Sequence, residues 1–401
     1  MTTLPFVLRS LFPFQGYKLC VLSCDNNIVI GLQSRRKTGT CPKCGKWCHN
    51  IEQEYERLIR DMDMAEKKCY LRIRQKKIKC KCGYRGLEKI DFITKYERVT
   101  VRLAAHVAED CEEACLKEVA RRYKLDWKTV KEIDREHIKT LLPEIAQLLM
   151  KRIAIDEIAI MKGHKYFTII RDYDSGIAVK IVLGRGYEEV KSALLSLGYD
   201  ALMKIKYASL DMWDPYIKAL KECCPNIKLV FDKFHVVKKV NEALDSVRKK
   251  EFADASPQEK IDMKHKRWII LHREHNLKNE ENETLKKLME KNDRLYKAYL
   301  LKEQILSIFD EKDSTFDKIG DRIKCWLENI LSNDLEEFHA VVKTIQNYMY
   351  GILNYFRYGM TNAIAEGFNT KINVLKRRAF GFRDLEYFTL KIYQNSLRRL
   401  S

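Results

Sequence analysis

The chain has 401 residues, 46% of them hydrophobic and 10% aromatic, which excludes a disordered protein and supports two to four structural units. Its 75 Lys and Arg outnumber its 56 Asp and Glu, and the resulting formal charge of +19 favours a polyanionic partner, phosphate backbones first among them. No apolar run approaches the ~20 residues that span a bilayer. The apolar N-terminus is interrupted by Arg9 and two prolines and has no basic stretch before it, so it does not read as a signal peptide, and a cytoplasmic protein is expected.

That compartment makes the 13 cysteines thiols or metal ligands, and eight of them fall in the first 82 residues. Short apolar runs at Lys18–Ser23 and Asn27–Gly31 predict weak strands. Cys41-Pro-Lys-Cys44-Gly then offers two thiolates at knuckle spacing, with a glycine that lets backbone N–H groups turn toward sulfur. The partner pair is Cys80-Lys-Cys82-Gly, and the alternating Cys69-Tyr-Leu-Arg-Ile-Arg is the strand that returns the chain to the first knuckle. A structural Zn²⁺ on Cys41, Cys44, Cys80 and Cys82 is expected. The second pair has only one intervening residue, so Cys48, His49 and Cys69 stand as replacements.

From Val99 to about Met150 the pattern is helical. Within it, residues 115–134 have a helix-turn-helix pattern. Leu116, Val119 and Ala120 pack one helix, Leu125 is buried in the turn, Asp126 caps a second helix, and Val130 and Ile133 point inward. Lys124, Lys128 and Lys131 then face outward toward DNA.

At Ile153-Ala-Ile-Asp-Glu-Ile-Ala-Ile the sequence turns strand-like, with Asp156 in its middle; a carboxylate in such a run is costly unless a cation compensates. Two further strands joined by Asp172-Tyr-Asp-Ser-Gly follow, then helix 188–197, strand 205–210, helix 215–223 and strand 228–231. The order implies a mixed sheet with helices on its faces. Asp211 ends one of these strands, Asp232 the next, shortly before His235, and Asp214 reads as a helix cap ahead of Pro215.

Residues 236–355 lose the strand signal and form a charged helical stretch, with Trp268, Tyr296, Tyr299 and Trp326 as expected internal anchors. A last helix is expected over 363–375, capped by Asn362, with Glu366 and Asn369 on one face, and the basic segment Lys376-Arg377-Arg378 to Arg383 follows it. Carboxylates on adjacent strands plus one on a later helix suit two Mg²⁺ or Mn²⁺ ions. No GxxxxGK[ST] loop is present, so no nucleotide cofactor is expected.

The ordering of these pieces, with Ile155-Asp-Glu, Asp232-Lys-Phe-His-Val and Ala365-Glu-Gly-Phe-Asn through Gly381-Phe-Arg as the most specific, resembles the ISL-three family of insertion-sequence transposases over nearly the whole chain. The resemblance implies an α/β ribonuclease-H-like catalytic core with a helical insertion, preceded by a small zinc-binding module and a helix-turn-helix. It implies a catalytic, metal-binding triad of Asp156, Asp211 and Glu366. Asp211 is preferred to Asp232 because the fourth strand of such a core bears the second carboxylate. Asp232, His235, Asn369, Lys376, Arg377, Arg378 and Arg383 then lie near the site or on DNA.

The segments expected are 1–95 for the zinc module, 96–150 for the helix-turn-helix, 151–240 for the first part of the core, 241–355 for the insertion and 356–401 for the final core helix and basic tail. The partners expected are the double-stranded element ends and target, held by a homodimer. Two other readings remain at this point: a DNA-binding regulator with a silent core, and a nuclease that cuts without joining.

Overall fold

The computed structural model describes residues 12–94, 98–142, 150–161, 165–311, 315–361, 363–379 and 381–397. Asn362, the expected helix cap, lies outside them. The chain divides into two compact units, one of Met1–Leu141 with Lys376–Leu390, the other of Leu142–Leu375 with Lys391–Ser401. Among the described residues no helix is long and apolar enough to cross a membrane.

The first unit opens with β1 (Tyr17–Ser23), β2 (Asn27–Ser34), the short pair β3 (Gly39–Thr40) and β4 (Trp47–Cys48), β5 (Ile51–Met64), β6 (Lys67–Lys79) and β7 (Arg85–Leu87). The sheet order is β1-β2-β6-β5 with β7 also on β6. β6 carries the core because its first half alternates: Cys69, Leu71 and Ile73 are buried, while Arg72 and Arg74 on the opposite face are exposed. The expected run over Cys69–Arg74 is therefore a strand, and longer than its pattern indicated.

Three helices follow, α1 (Val101–Glu113), α2 (Leu116–Tyr123) and α3 (Trp127–Leu141). The Thr100 hydroxyl accepts from the Leu103 N–H and caps α1. The same hydroxyl donates to Asp61, which is fully buried on β5 and also receives the Arg102 guanidinium, so one carboxylate ties the sheet to the first helix.

The second unit holds β8 (Arg152–Met161), β9 (Lys165–Asp172), β10 (Ala178–Leu183), α4 (Tyr187–Leu195), α5 (Tyr199–Lys204), β11 (Tyr207–Leu210), α6 (Asp214–Cys223) and β12 (Lys228–Phe231). The order across the sheet is β10-β9-β8-β11-β12. The first three strands run antiparallel and the last two run parallel to β8. This is the mixed sheet the sequence predicts: a hairpin meander first, then two strands that arrive through helical crossovers.

From Lys233 the chain is helical: α7 (Lys233–Asp254), α8 (Pro257–Met263), α9 (Arg267–Leu271), α10 (Asn279–Lys291), α11 (Asp293–Asp310), α12 (Phe316–Ser332), α13 (His339–Tyr358), α14 (Ala363–Arg378) and α15 (Leu385–Leu397). α13 lies on β12, with Gly351 against the Phe231 ring where a methyl group would collide. Of the four expected anchors, Tyr299 and Trp326 are buried, and the Trp326 indole donates to the Leu301 carbonyl at 2.8 Å. Trp268 and Tyr296 are 62% and 43% exposed, which corrects their assignment to the core. Both stand largely toward solvent, a property that residue type alone does not reveal.

Candidate functional site

Parallel pairing fixes where the carboxylates stand. Tyr207, Ala208 and Ser209 of β11 pair with Arg152, Ile153 and Ala154 of β8. Two residues further along each strand are Asp211 and Asp156, at one level and on one face, because side chains alternate with period two. Leu210 pairs with Phe231, so Asp232 continues the row on the third strand. Parallel strands lie ~4.8 Å apart, which brings neighbouring carboxylates of such a row together.

Asp156 is largely buried at 12% exposure. One of its oxygens accepts from the Glu157 N–H at 2.7 Å and the other from the Asn369 amide at 2.7 Å, while the Arg171 guanidinium lies 3.9 Å away. Burial, followed by the negative charge of Asp211, raises its pKa above the ordinary carboxylate value, and the N–H groups and Arg171 do not fully offset this.

Asp211 is met by His235 Nε2 at 2.5 Å. Burial lowers the His235 pKa, but the hydrogen bond and charge of Asp211 outweigh it and leave the imidazole raised, so the pair is a charge-assisted contact. Asp232 is used differently. It is buried and caps α7 by accepting from the Phe234 N–H at 3.0 Å. Asp214 lies in the first turn of α6, after Trp213 at the cap position, and accepts from the Tyr348 hydroxyl at 2.6 Å.

Glu366 is exposed on the first turn of α14, one turn before Asn369. Phe368 between them is buried under Arg171, whose guanidinium lies 4.8 Å from the ring centre. α14 is thereby fixed against β8 and β9, with Glu366 on the helix that contacts Asp156. Asp156, Asp211 and Glu366 are not drawn together closely enough to hold an ion as they stand. Asp211 is turned to His235 and Asp156 to Asn369. Asn369 was legible as the residue sharing a face with Glu366. Arg185, Trp213, Lys238 and Lys239, which line a cleft with Asp211 and His235, were not identified from sequence. Asp211-Met-Trp213 was the signal that could have found the aromatic.

The only group of three or more Cys, His, Asp or Glu gathered to hold a metal among the described residues is Cys41, Cys44, Cys80 and Cys82, with all four sulfurs within 4.8 Å of one another. Cys41 and Cys82 are 3.7 Å apart and Cys44 and Cys80 3.6 Å. Four sulfurs ~2.3 Å from a tetrahedral Zn²⁺ stand at about this separation. The short second knuckle closes because Gly83 has φ +86° and donates to the Cys80 carbonyl, much as Gly45 with φ +71° donates to Cys41. Burial acts to raise the Cys41 thiol, but the N–H groups of Cys44 and Lys43 outweigh it and bring its pKa down to about 7. Cys48 contacts the Lys46 carbonyl and Cys69 belongs to the sheet core, and the gathered group includes neither of them nor His49.

In the helical part of the first unit, Val119, Ala120, Val130 and Ile133 are buried as expected and Leu125 packs against them. Asp126 accepts from the Lys128 N–H at 2.9 Å and caps α3. Lys124 and Lys128 are exposed. Lys131 is not presented freely as expected: it pairs with Asp384 at 2.6 Å over the Tyr387 ring. Arg378 donates to the Glu112 carbonyl at 3.1 Å and to that of Glu113, satisfying the open end of α1. Arg377 and Arg383 are exposed and Lys376 is half-buried.

Comparison with known proteins agrees with this layout. The family model described as the transposase of ISL3 elements matches residues 153–392. The zinc-finger of transposase IS204/IS1001/IS1096/IS1165 matches 37–82, and the helix-turn-helix domain of transposase family ISL3 matches 88–138. The transposase for insertion sequence element IS1001 of Bordetella parapertussis is 28% identical over 396 residues, covering 96% of this chain and 97% of that protein. The transposase for insertion sequence element IS1557 of Mycobacterium tuberculosis is 27% identical over 257 residues, 58% of this chain and 57% of its own length. With the transposase model covering more than half of its length, the chain belongs to the ISL3 family of insertion-sequence transposases.

Proposed function

We propose that the chain binds the inverted-repeat ends of an insertion sequence and carries out divalent-metal-dependent strand cleavage and strand transfer, with Asp156, Asp211 and Glu366 as the catalytic carboxylates. The carrying observation is the parallel register of β8 and β11, which sets Asp156 level with Asp211 just past the end of β11, with Asn369, one turn from Glu366, bonded to Asp156. The strand order, three antiparallel strands followed by two parallel ones with the first strand central, supports a ribonuclease-H-like core. Asp211 follows its fourth strand. Asp232 is committed to capping α7, which favours Asp211 as the second acid.

The donor set fits Mg²⁺ or Mn²⁺. It consists of hard carboxylate oxygens, one of them on an acid whose charge burial disfavours even with Arg171 3.9 Å away, beside the buried Asn369 Oδ1 that has no hydrogen-bond partner. Bound divalent ions supply Lewis-acid activation of the attacking water or 3′-hydroxyl and stabilise the departing oxygen. Asn369 orients Asp156. His235 holds Asp211 by a charge-assisted hydrogen bond and fixes its orientation toward the cleft. Lys238, Lys239 and Arg185 hold phosphate at the cleft.

In the first unit the four cysteines hold a structural Zn²⁺. Lys124 and Lys128 meet DNA, with Arg377 and Arg383 as further phosphate contacts. Lys376 serves near the site, and two copies pair two ends as a homodimer in the cytoplasm.

The test is Mg²⁺-dependent nicking and joining on end-containing duplex. Asp156→Ala and Glu366→Ala abolish both and retain end binding. Cutting at the parent rate in both variants defeats the triad, and cutting without joined products makes the protein a nuclease. The same assay on Asp211→Ala and Asp232→Ala distinguishes the second acid, with loss expected for Asp211.

A further inference from the structure

The Asp211 cleft does not end at the carboxylates. It runs into a second cavity, and the two share Lys238 and Glu242 on α7. The first is lined by Asp211, Trp213, His235 and Lys239. The second is lined by Phe234, Lys249, Arg267 and Trp268. Phe234, Lys238, Glu242, Asp245 and Lys249 recur every three or four residues, so they form one stripe along the helix. From His235 to Lys249 that stripe rises about 21 Å at 1.5 Å per residue.

Two properties of the stripe call for an explanation. Trp213, Phe234 and Trp268 are 41%, 50% and 62% exposed, and they gather along the two joined cavities instead of being scattered singly. The charge between them is basic. Asp245 is surrounded by Arg248 at 2.8 Å, Lys249 at 3.1 Å and Arg267 at 3.2 Å, three cations on one carboxylate. Lys238 and Lys239 are exposed and have no ion-pair partner among the described residues. Arg267 also stacks over Trp268 at 5.0 Å, and Arg185 over Trp213 at 5.2 Å, which holds each indole as a flat, electropositive platform.

We propose that this stripe is a track for an unpaired DNA strand leading away from the cleavage point, with Trp268 as a base-stacking platform. A duplex presents phosphates and base edges to a surface, and lysines alone suffice to hold it. Exposed indoles set between cations match a strand whose base faces are free, because every base stacks and every phosphate attracts. The span accommodates roughly six nucleotides at duplex spacing and fewer when the strand is stretched. The assignment rests on the reading of the Asp211 cleft as the place where DNA is cut. It adds a strand polarity to that reading, in which one separated strand is drawn along α7 while its complement is not.

The test uses the full-length protein without added divalent metal, so that it does not depend on catalysis. The probes are a non-specific duplex with a six-nucleotide single-stranded tail containing 5-iodouracil and the same duplex with blunt ends. The expected result is a photocrosslink on the peptide containing Trp268. Trp268→Ala should weaken tailed DNA on the order of tenfold with blunt DNA unchanged, and Trp268→Phe should restore most of the loss. Lys249→Glu, on an exposed side chain, should lower tailed binding with a shallower salt dependence. Equal affinity of the parent for both probes, or equal loss of both in Trp268→Ala, overturns the track; the second outcome would mark a duplex surface. A parent protein that gives the crosslink but fails to nick end-containing duplex when Mg²⁺ is supplied would overturn the catalytic reading and leave the track standing.

Discussion

Asp156 shows how one side chain carries both a stability cost and a function. Its raised pKa means that the folded, metal-free protein disfavours the ionised form. The contribution of this one group to the stability of the metal-free protein is therefore fully present below the ordinary carboxylate pKa and is lost as pH rises from that value through the raised one. Asp156→Asn removes the charge, and the Asn369 amide can turn over to offer its unpaired Oδ1 to the new side chain. The variant should therefore melt above the parent at neutral pH without divalent metal, and added Mg²⁺ should narrow the gap by stabilising only the parent. A parent that melts no lower than the variant would remove the electrostatic argument for a cation at this position. Asp156 was legible because a charged residue interrupts an apolar strand. Its partners Asn369 and Arg171 were not legible as partners, because they lie 213 and 15 residues away and meet it only through tertiary packing.

Among the elements, those with strong local patterns were the easiest to read. Strand 228–231 and the start of α14 fall where the sequence predicts, and α4 and α6 are within two residues of expectation. The long β5 was missed. Its hairpin with β6 turns at Ala65 and Glu66, both with positive φ of 49° and 64°, in place of the Asn-Gly or Asp-Gly pair that normally signals such a turn. Its first half is also exposed on both faces, with Glu52, Glu54 and Glu56 on one and Gln53 and Tyr55 on the other, which hides the alternation. The zinc knuckles show the opposite case, where residue identity outweighed an irregular spacing. Chelation should release about one Zn²⁺ per chain. Cys44→Ser should lower the melting temperature of the first unit and weaken binding to element ends, while the second unit keeps its own transition. An unchanged first-unit melt after metal removal would show that the sheet stands without the ion.

At the scale of the whole molecule, division into segments along the sequence was only partly informative, because residues 376–390 return to the first unit. The Tyr387 hydroxyl donates to Asp134, which is fully buried on α3, Glu386 pairs with Arg135, and Asp384 pairs with Lys131. No local pattern announces such a return over some 250 positions. A chain ending at residue 375 leaves Asp134 without its hydroxyl donor, a loss of about 1–3 kcal/mol for a buried polar group. Binding of element ends by that truncated chain should fall at least severalfold, and recovery on adding residues 376–397 back in cis would tie the effect to this segment. Full affinity in the truncated chain would mean that the helix-turn-helix is self-sufficient.

This return also bears on the order of synthesis. The ribosome makes the helix-turn-helix early, but the supports on Asp384, Glu386 and Tyr387 emerge some 250 residues later. Products that stop before residue 384 would then compete poorly for element ends, and the fitted DNA reader would arrive only after most of the transposase core has been made, close to the message and gene that encoded it.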